Sequence, residues 1–200
     1  MLNKEQNQKI LLEKFSKNSV CFKDQYDEIN IEKKDIVRTI KLLKENENLQ
    51  YDQLRDLTAI DYPSREKRFD IVYILLSMTQ NKRIIVKVSL KEDENIESIT
   101  SIHKASDWYE RECYDLFGIK FLNHPDLRRI MTDYNFEGHP LRKDFPLTGH
   151  TEVRYDDLEK KVVYEPVQLT QEYRNFDYMS PWEGWDNNLI GDDKSEEEAK

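Results

Sequence analysis

Glycine is scarce: five residues in 200, at positions 118, 138, 149, 184 and 191. With that spacing neither the phosphate loop G-x-x-x-x-G-K-[ST] nor the dinucleotide turn G-x-G-x-x-G can be written, so the backbone cradles that nucleotides use are excluded. A G-x-S-x-G nucleophile elbow is also missing. Cysteine is scarcer still. Cys21 and Cys113 could form one bridge at most, and a reduced, cytosol-facing location fits that count. Long apolar runs are absent too. The longest, Ile71 to Leu76, is far below the ~20 residues a membrane span needs. The first twenty residues hold Glu5 and Glu13 and no apolar block, so no secretory or organelle presequence is expected. Positive charge is in deficit, with a net charge of −9. That disfavours nucleic acid as the main partner, because phosphate neutralisation requires a basic face.

What is present is a globular but polar chain, 38% hydrophobic and 36% charged. Residues 5–17 predict a short amphipathic helix with Ile10, Leu11 and Phe15 on its apolar side. A strand is expected over 19–31, then a helix over 33–46 with Ile36, Val37, Ile40 and Leu43 at helical spacing. Residues 54–61 predict a strand stopped by Pro63. "FDIVYILLSM" and the alternating "RIIVKVSL", joined by a turn at 79–82, predict an antiparallel hairpin. A short helical segment is expected near 96–103 and a clearer helix at 107–117. Asp107 and Glu110 fit a capping box there, and Gly118 fits a left-handed stop. Beyond residue 122 four of the six prolines fall between 125 and 166 and periodicity fades, although a hairpin is plausible at 151–165. The expected fold class is α+β: a mainly antiparallel sheet with helices on one face, followed by a long extended C-terminal tail. The expected division is an α/β domain over 1–122, an extended docking segment over 123–190 and an acidic disordered tail over 191–200.

Residues 110–149, "ERECYDLFGIKFLNHPDLRRIMTDYNFEGHPLRKDFPLTG", gather seven acids, six bases, a cysteine and two histidines. Cys113, His124, His139 and His150 are separated by ten, fourteen and ten residues. Metal sites draw ligands in close pairs, and no C-x-x-C, H-x-x-x-H or H-E-x-x-H occurs. An iron–sulfur ligand set fails on the same ground. Cys113, flanked by acids, reads as a buried small side chain rather than a nucleophile. Asp107 and Arg111 are spaced i,i+4, and Arg111 also faces Asp115. Glu112 and Asp115 are expected on the buried face of the helix with Trp108. Buried acids need cationic partners, and Arg128, Arg129, Arg142 and Lys143 are the supply. This pattern reads as an ionic network at a junction, and it need not be catalytic.

The same stretch resembles the signature of the C subunit of the proton-translocating NADH–quinone oxidoreductase, respiratory complex I, whose mitochondrial counterpart is the thirty-kilodalton subunit. The resemblance is carried by Glu110, Arg111, Glu112, Asp115, Phe117, Gly118, His124, Pro125, Arg128, Arg129 and the run Gly138 to Pro146. It extends upstream through "DLTAIDYPSREKRFDIVYILLS" and downstream through "SPWEG", covering roughly residues 50–185. It implies a peripheral-arm subunit that binds no flavin, cluster or metal itself, while FMN and iron–sulfur clusters sit in other subunits. It also implies packing against the B and D subunits of complex I at the quinone-reducing end. Membrane association would come only through the complex, on the cytoplasmic face of a bacterial inner membrane, or the matrix side if the chain is organelle-encoded. The implied interface residues are Glu110, Arg111, Glu112, Asp115, His124, Arg128, Arg129, His139, Arg142, Lys143, Asp144, Tyr173, Phe176 and Trp182. An equivalent subunit of a related hydrogenase or plastid-type complex, and a stand-alone thiol or metal enzyme, are the alternatives.

Overall fold

The computed structural model describes residues 8–15, 19–23 and 26–169, together with the backbone of 4–7. These residues fall into two compact units, 1–149 and 150–200. The first begins with helix α1 (Lys4–Lys14), on which Leu11 is fully buried while Ile10 and Phe15 are partly buried. The single strand expected over 19–31 is instead a hairpin. Strand β1 (Val20–Phe22) runs antiparallel to β2 (Asp27–Ile31), and Lys23 N–H donates to the Tyr26 carbonyl at the turn. After one 3-10 turn, helix α2 (Ile36–Glu45) buries Ile36, Thr39, Ile40 and Leu43, one stripe at helical spacing.

Strands β3 (Gln53–Asp61), β4 (Phe69–Ser77) and β5 (Lys82–Leu90) complete a five-stranded sheet in the order β1-β2-β5-β4-β3. All neighbours are antiparallel except β2 and β5, which are parallel. Register explains which side chains meet. Ile84, Val86 and Val88 stand opposite Leu75, Tyr73 and Ile71, and all six are fully buried. Directly opposed residues share a face, so these six form the core face of the sheet. Leu54 and Leu57 are both buried although three residues apart, because a bulge between Leu54 and Asp56 shifts the β3 register. Buried side chains of all three helices join the same apolar cluster, so the helices cover one face.

The segment expected to be helical at 96–103 is a two-residue strand, β6 (Ile96–Glu97), followed by a single turn in which Ile102 and His103 N–H groups donate to the Ile99 carbonyl. Helix α3 (Ser106–Phe117) follows, and β7 (Phe121–Leu122) pairs parallel with β6. Helix α3 lies along β3, the edge strand. Tyr109 Oη donates to the Arg55 carbonyl, and Cys113 Sγ lies 3.7 Å from the Leu57 carbonyl, so the helix occupies acceptors that a bare edge would expose. The second unit holds the expected hairpin, β8 (Thr151–Asp156) and β9 (Lys161–Pro166). Among the described residues no helix is long and apolar enough to cross a membrane.

Candidate functional site

Helix α3 organises the charged stretch. Its buried stripe is Ser106, Glu110, Cys113 and Phe117, spaced four, three and four, with Asp115 buried separately from the flank. Trp108 is 68% exposed and Glu112 is exposed, so both lie opposite the face expected for them. The capping box at Asp107 and Glu110 is not formed either. The helix starts one residue earlier, its Ala105 cap makes no side-chain bond, and Glu110 Oε1 accepts from Ile99 N–H at 2.9 Å. Glu110 therefore ties the turn before α3 to the helix.

Asp115 is the centre of the site. Its side chain is fully buried, and five donors converge on its two oxygens. Oδ2 accepts from the N–H groups of Ile130 (3.0 Å), Met131 (2.6 Å) and Thr132 (2.8 Å). Oδ1 accepts from Thr132 Oγ1 at 2.6 Å and Arg129 Nη1 at 2.8 Å. Burial alone would raise the carboxyl pKa. The Thr132 hydroxyl and the three N–H groups outweigh it and hold the pKa down at about 2. Arg129 is held in turn by Thr132 Oγ1 and the Gly138 carbonyl, with the Phe136 ring 5.9 Å away. With Asp115 saturated, Arg111 does not pair with it. Its guanidinium donates to the Arg128 and Arg129 carbonyls, fastening the same loop from the other side. Arg128 turns away from the site, pairing with Asp126 at an exposed position.

The end of α3 explains the stretch "GHPLR". A helix leaves its last four carbonyls without intrahelical partners. Here each has a donor: Gly118 N–H to Tyr114 O, His139 Nδ1–H to Asp115 O at 2.8 Å, Leu141 N–H to Leu116 O, and Arg142 Nε to Phe117 O at 2.7 Å. Arg142 also places a positive charge at the negative end of the helix dipole. Gly118 is left-handed (φ +79°), as expected of a stop. A Cβ there would lie 2.6 Å from His139 Nε2 and 2.7 Å from Arg142 Nη2. The glycine is needed for both conformation and close approach.

A second network joins this loop to the sheet. Arg68, at the start of β4, grips Asp61 at the end of β3 through Nε (2.8 Å) and Nη2 (2.9 Å). The Asp61 side chain is fully buried and the Arg68 side chain is 11% exposed. Arg68 also reaches Asp144 (2.8 Å) and Glu92 (3.1 Å), while Arg142 Nη1 takes the other Glu92 oxygen at 2.7 Å. Lys143 contributes its backbone N–H to Asp61 Oδ2, and its side chain is exposed. The Arg68 hydrogen bonds pull the Asp61 carboxyl below its ordinary range against the opposing effect of burial. Asp61, Arg68 and Glu92 were not among the residues expected from the sequence. The available signal was an acid and a base closing opposite ends of one hairpin loop, 61–68. Arg129 and Arg142 each hold a carboxylate of this same chain, Asp115 and Glu92.

Around the first turns of α3 the buried polar groups are less well served. Among the described residues Glu110 Oε2 has no hydrogen-bond partner, and burial raises its carboxyl pKa against the opposing pull of Ser98, Ile99 N–H and Ser106. The buried His124 ring accepts from Asp126 N–H at Nδ1 and donates from Nε2 to the Asp107 carbonyl. Its Nε2 is 3.9 Å from Glu110 Oε2. Tyr73 Oη and His103 Nε2 are likewise buried without partners among the described residues. His103 is a histidine that ligand spacing overlooked, and burial and then the Lys44 ammonium push its pKa down to about 4. Cys113 is buried as expected, and burial pushes its thiol up, followed by Glu112 and Glu110. Among the described residues no three His, Cys, Asp or Glu side chains converge as a metal would require. Tyr173, Phe176 and Trp182 lie outside the described residues.

The geometry is that of a clamp, two ion networks and four capped carbonyls holding residues 128–146 against α3 and the sheet. Comparison with known proteins gives the clamp its family. The family model of the respiratory-chain NADH dehydrogenase 30 kDa subunit matches residues 29–151. The chain belongs to that family. Its relatives include the C subunit of NADH-quinone oxidoreductase from Ruegeria pomeroyi, 56% identical over 86% of this chain and 86% of that one. The protein of the same name from Cereibacter sphaeroides is 58% identical over 80% of each chain. Among solved structures, a chain of the archaeal membrane-bound sulfane sulfur reductase, a respiratory membrane complex, has a TM-score of 0.61. It is 24% identical over 72% of this chain and 85% of that one, a likeness of fold. Both the clamp residues and the Asp61–Arg68 pair fall inside the family span.

Proposed function

We propose that this chain is a non-catalytic structural subunit of the peripheral arm of the proton-translocating NADH–quinone oxidoreductase. It docks on the quinone-reducing B and D subunits, while NADH oxidation, FMN and the iron–sulfur clusters belong to other subunits. The complex couples NADH oxidation and quinone reduction to proton transfer, and this chain joins the membrane only through it, on the cytoplasmic face or its organellar equivalent. The observation that carries the reading is the 56% identity to a C subunit of that enzyme over 86% of both chains. The clamp supports it, because its cations are engaged in binding carboxylates and carbonyls of the same chain, as a scaffold requires. Isolating the native assembly through a tag on this chain tests the proposal. The expected result is recovery of NADH-oxidising subunits together with the B and D subunits. Recovery of a hydrogenase module, or of this chain alone, would overturn it. The purified chain is expected to show no visible absorption from flavin or clusters and no stoichiometric metal.

A further inference from the structure

Residues 123–126 cross the first turns of α3 as a short strap. Asn123 leaves β7 in the left-handed region (φ +59°), and its Nδ2 donates to Glu97 Oε2 at 2.8 Å. At the other end Leu127 is partly buried against the core. Between these ends sits His124, whose side chain is fully buried. Its tautomer is set by the strap itself. Nδ1 accepts from Asp126 N–H at 3.1 Å, so it presents a lone pair and the ring hydrogen is on Nε2. That hydrogen goes to the Asp107 carbonyl at 3.2 Å. Two carboxylate oxygens also face Nε2: Asp107 Oδ1 at 3.2 Å and Glu110 Oε2 at 3.9 Å. Both oxygens are buried, and neither has a hydrogen-bond partner among the described residues. Three acceptors share one N–H.

We infer that Glu110 is a buried proton-binding site gated by this strap: the protonated carboxyl holds the strap shut, and loss of the proton releases it. Every group involved belongs to this chain, so the inference stands apart from the function proposed above. The neighbours set its sign. Tyr73 of β4 and Cys113 of α3 flank Glu110, and burial holds both protonated, so neither brings a cation. Asp107 adds only negative charge. The Ser98 hydroxyl, Ile99 N–H and the Ser106 hydroxyl pull toward the anion, and burial outweighs them. An imidazolium at His124 would join that pull, but Asp126 N–H occupies the nitrogen that would have to be protonated. Lifting His124 brings solvent to Oε2 and hydrates a carboxylate there. The ionised form therefore favours the open strap and the protonated form the closed one, a reciprocal linkage. The only bond changed is the Glu110 O–H, whose proton passes to solvent. The strap is tightest below the ordinary glutamate value of 4.5 and loosens as pH rises through the raised one.

Amide exchange at Asp126 N–H in the full chain reads the strap, once corrected for the intrinsic pH dependence of exchange. Protection is expected to be level below the ordinary glutamate value and to fall by up to about tenfold per pH unit, the limit for one linked proton. It should level again above the raised value. The carboxyl 13C shift of Glu110 gives that raised value independently. Each unit by which it exceeds the ordinary one should match about a tenfold loss of protection at Asp126. In Glu110→Gln, which keeps an acceptor for Ile99 N–H, protection at Asp126 should not change with pH. Dilute urea distinguishes the strap from the whole fold: exchange at Asp126 should be insensitive to it, unlike exchange in the β4 core. A Glu110 carboxyl that titrates at or below its ordinary value would overturn the inference, and this reading needs no variant. The same pH slope in Glu110→Gln would also overturn it, as would a urea dependence at Asp126 equal to that of β4.

Discussion

Glu110 and Asp115 lie five residues apart on α3, both with fully buried side chains, yet their proton affinities move in opposite directions. Burial acts on both in the same sense. Donors make the difference: five converge on Asp115, whereas on Glu110 the Ile99 N–H and the pull of the Ser98 and Ser106 hydroxyls do not offset burial. A carboxylate surrounded by donors is a fixed anion around which a loop can be wound, and 128–132 is wound on Asp115. A carboxylate with an unmet oxygen is a cost that the fold carries. The C-terminal half of α3 is therefore the rigid end of the clamp, and the N-terminal half is the sensitive one.

Asp115→Asn should break the comparison most severely. It removes the anion, sets an amide against donors and leaves Arg129, only 19% exposed, without its countercharge. A loss of about 3–5 kcal/mol is expected in urea denaturation. Next comes acid sensitivity at the N-terminal end. His103 has a depressed pKa, so its contribution is present above pH 6.5 and is lost as pH falls through about 4. That is worth about 3 kcal/mol, and a difference profile of denaturation midpoints against His103→Gln should isolate it. Asp115 adds a separate loss, beginning as pH falls into the ordinary aspartate range near 3.8 and complete only below about 2.

Gly118→Ala is expected to cost roughly 1–3 kcal/mol, from the left-handed backbone and from displacement of His139 and Arg142. Its thermal midpoint should fall while α3 itself persists in circular dichroism. Glu110→Gln should have the smallest effect, within about 1 kcal/mol of the parent at neutral pH, because the amide oxygen still accepts from Ile99 N–H and no charge stays buried. The sign is the sharper point. A raised carboxyl pKa contributes stability below its unfolded value that is lost as pH rises through the folded one. The parent should gain stability on acidification relative to Glu110→Gln. The same slope in both chains would remove Glu110 as the sensitive group.

The hairpin β4–β5 and helix α2 were legible because their information is local: an apolar period of two or of 3.6, with a short turn between. Helix α3 was legible in its extent and its Gly118 stop, but not in its phase. Reading Trp108 as buried placed the inward stripe on the wrong side, whereas Ser106, Glu110, Cys113 and Phe117 define it only once a carboxylate is admitted to the core. The stretch 19–31 read as one strand, whereas Val20–Phe22 folds back antiparallel on Asp27–Ile29, a reversal that no glycine or proline signals. That the charged stretch forms an ionic network was also legible, but its wiring was not. Arg68 meets Asp144 across 76 positions and Lys143 meets Asp61 across 82, separations that no spacing rule reaches. Arg111 shows how a correct local rule loses: its i,i+4 acid was already saturated by five other donors, so the guanidinium turned to carbonyls.

Residues 128–141 are locked onto α3 by this chain's own groups, before any partner arrives. Amide hydrogen exchange at Ile130, Met131, Thr132 and Leu141 in the free, monomeric chain tests this most directly. Protection is expected at all four, approaching that of the β4 core and lost together in Asp115→Asn. Exchange at unprotected rates in the free chain, with protection only in the assembled complex, would contradict it.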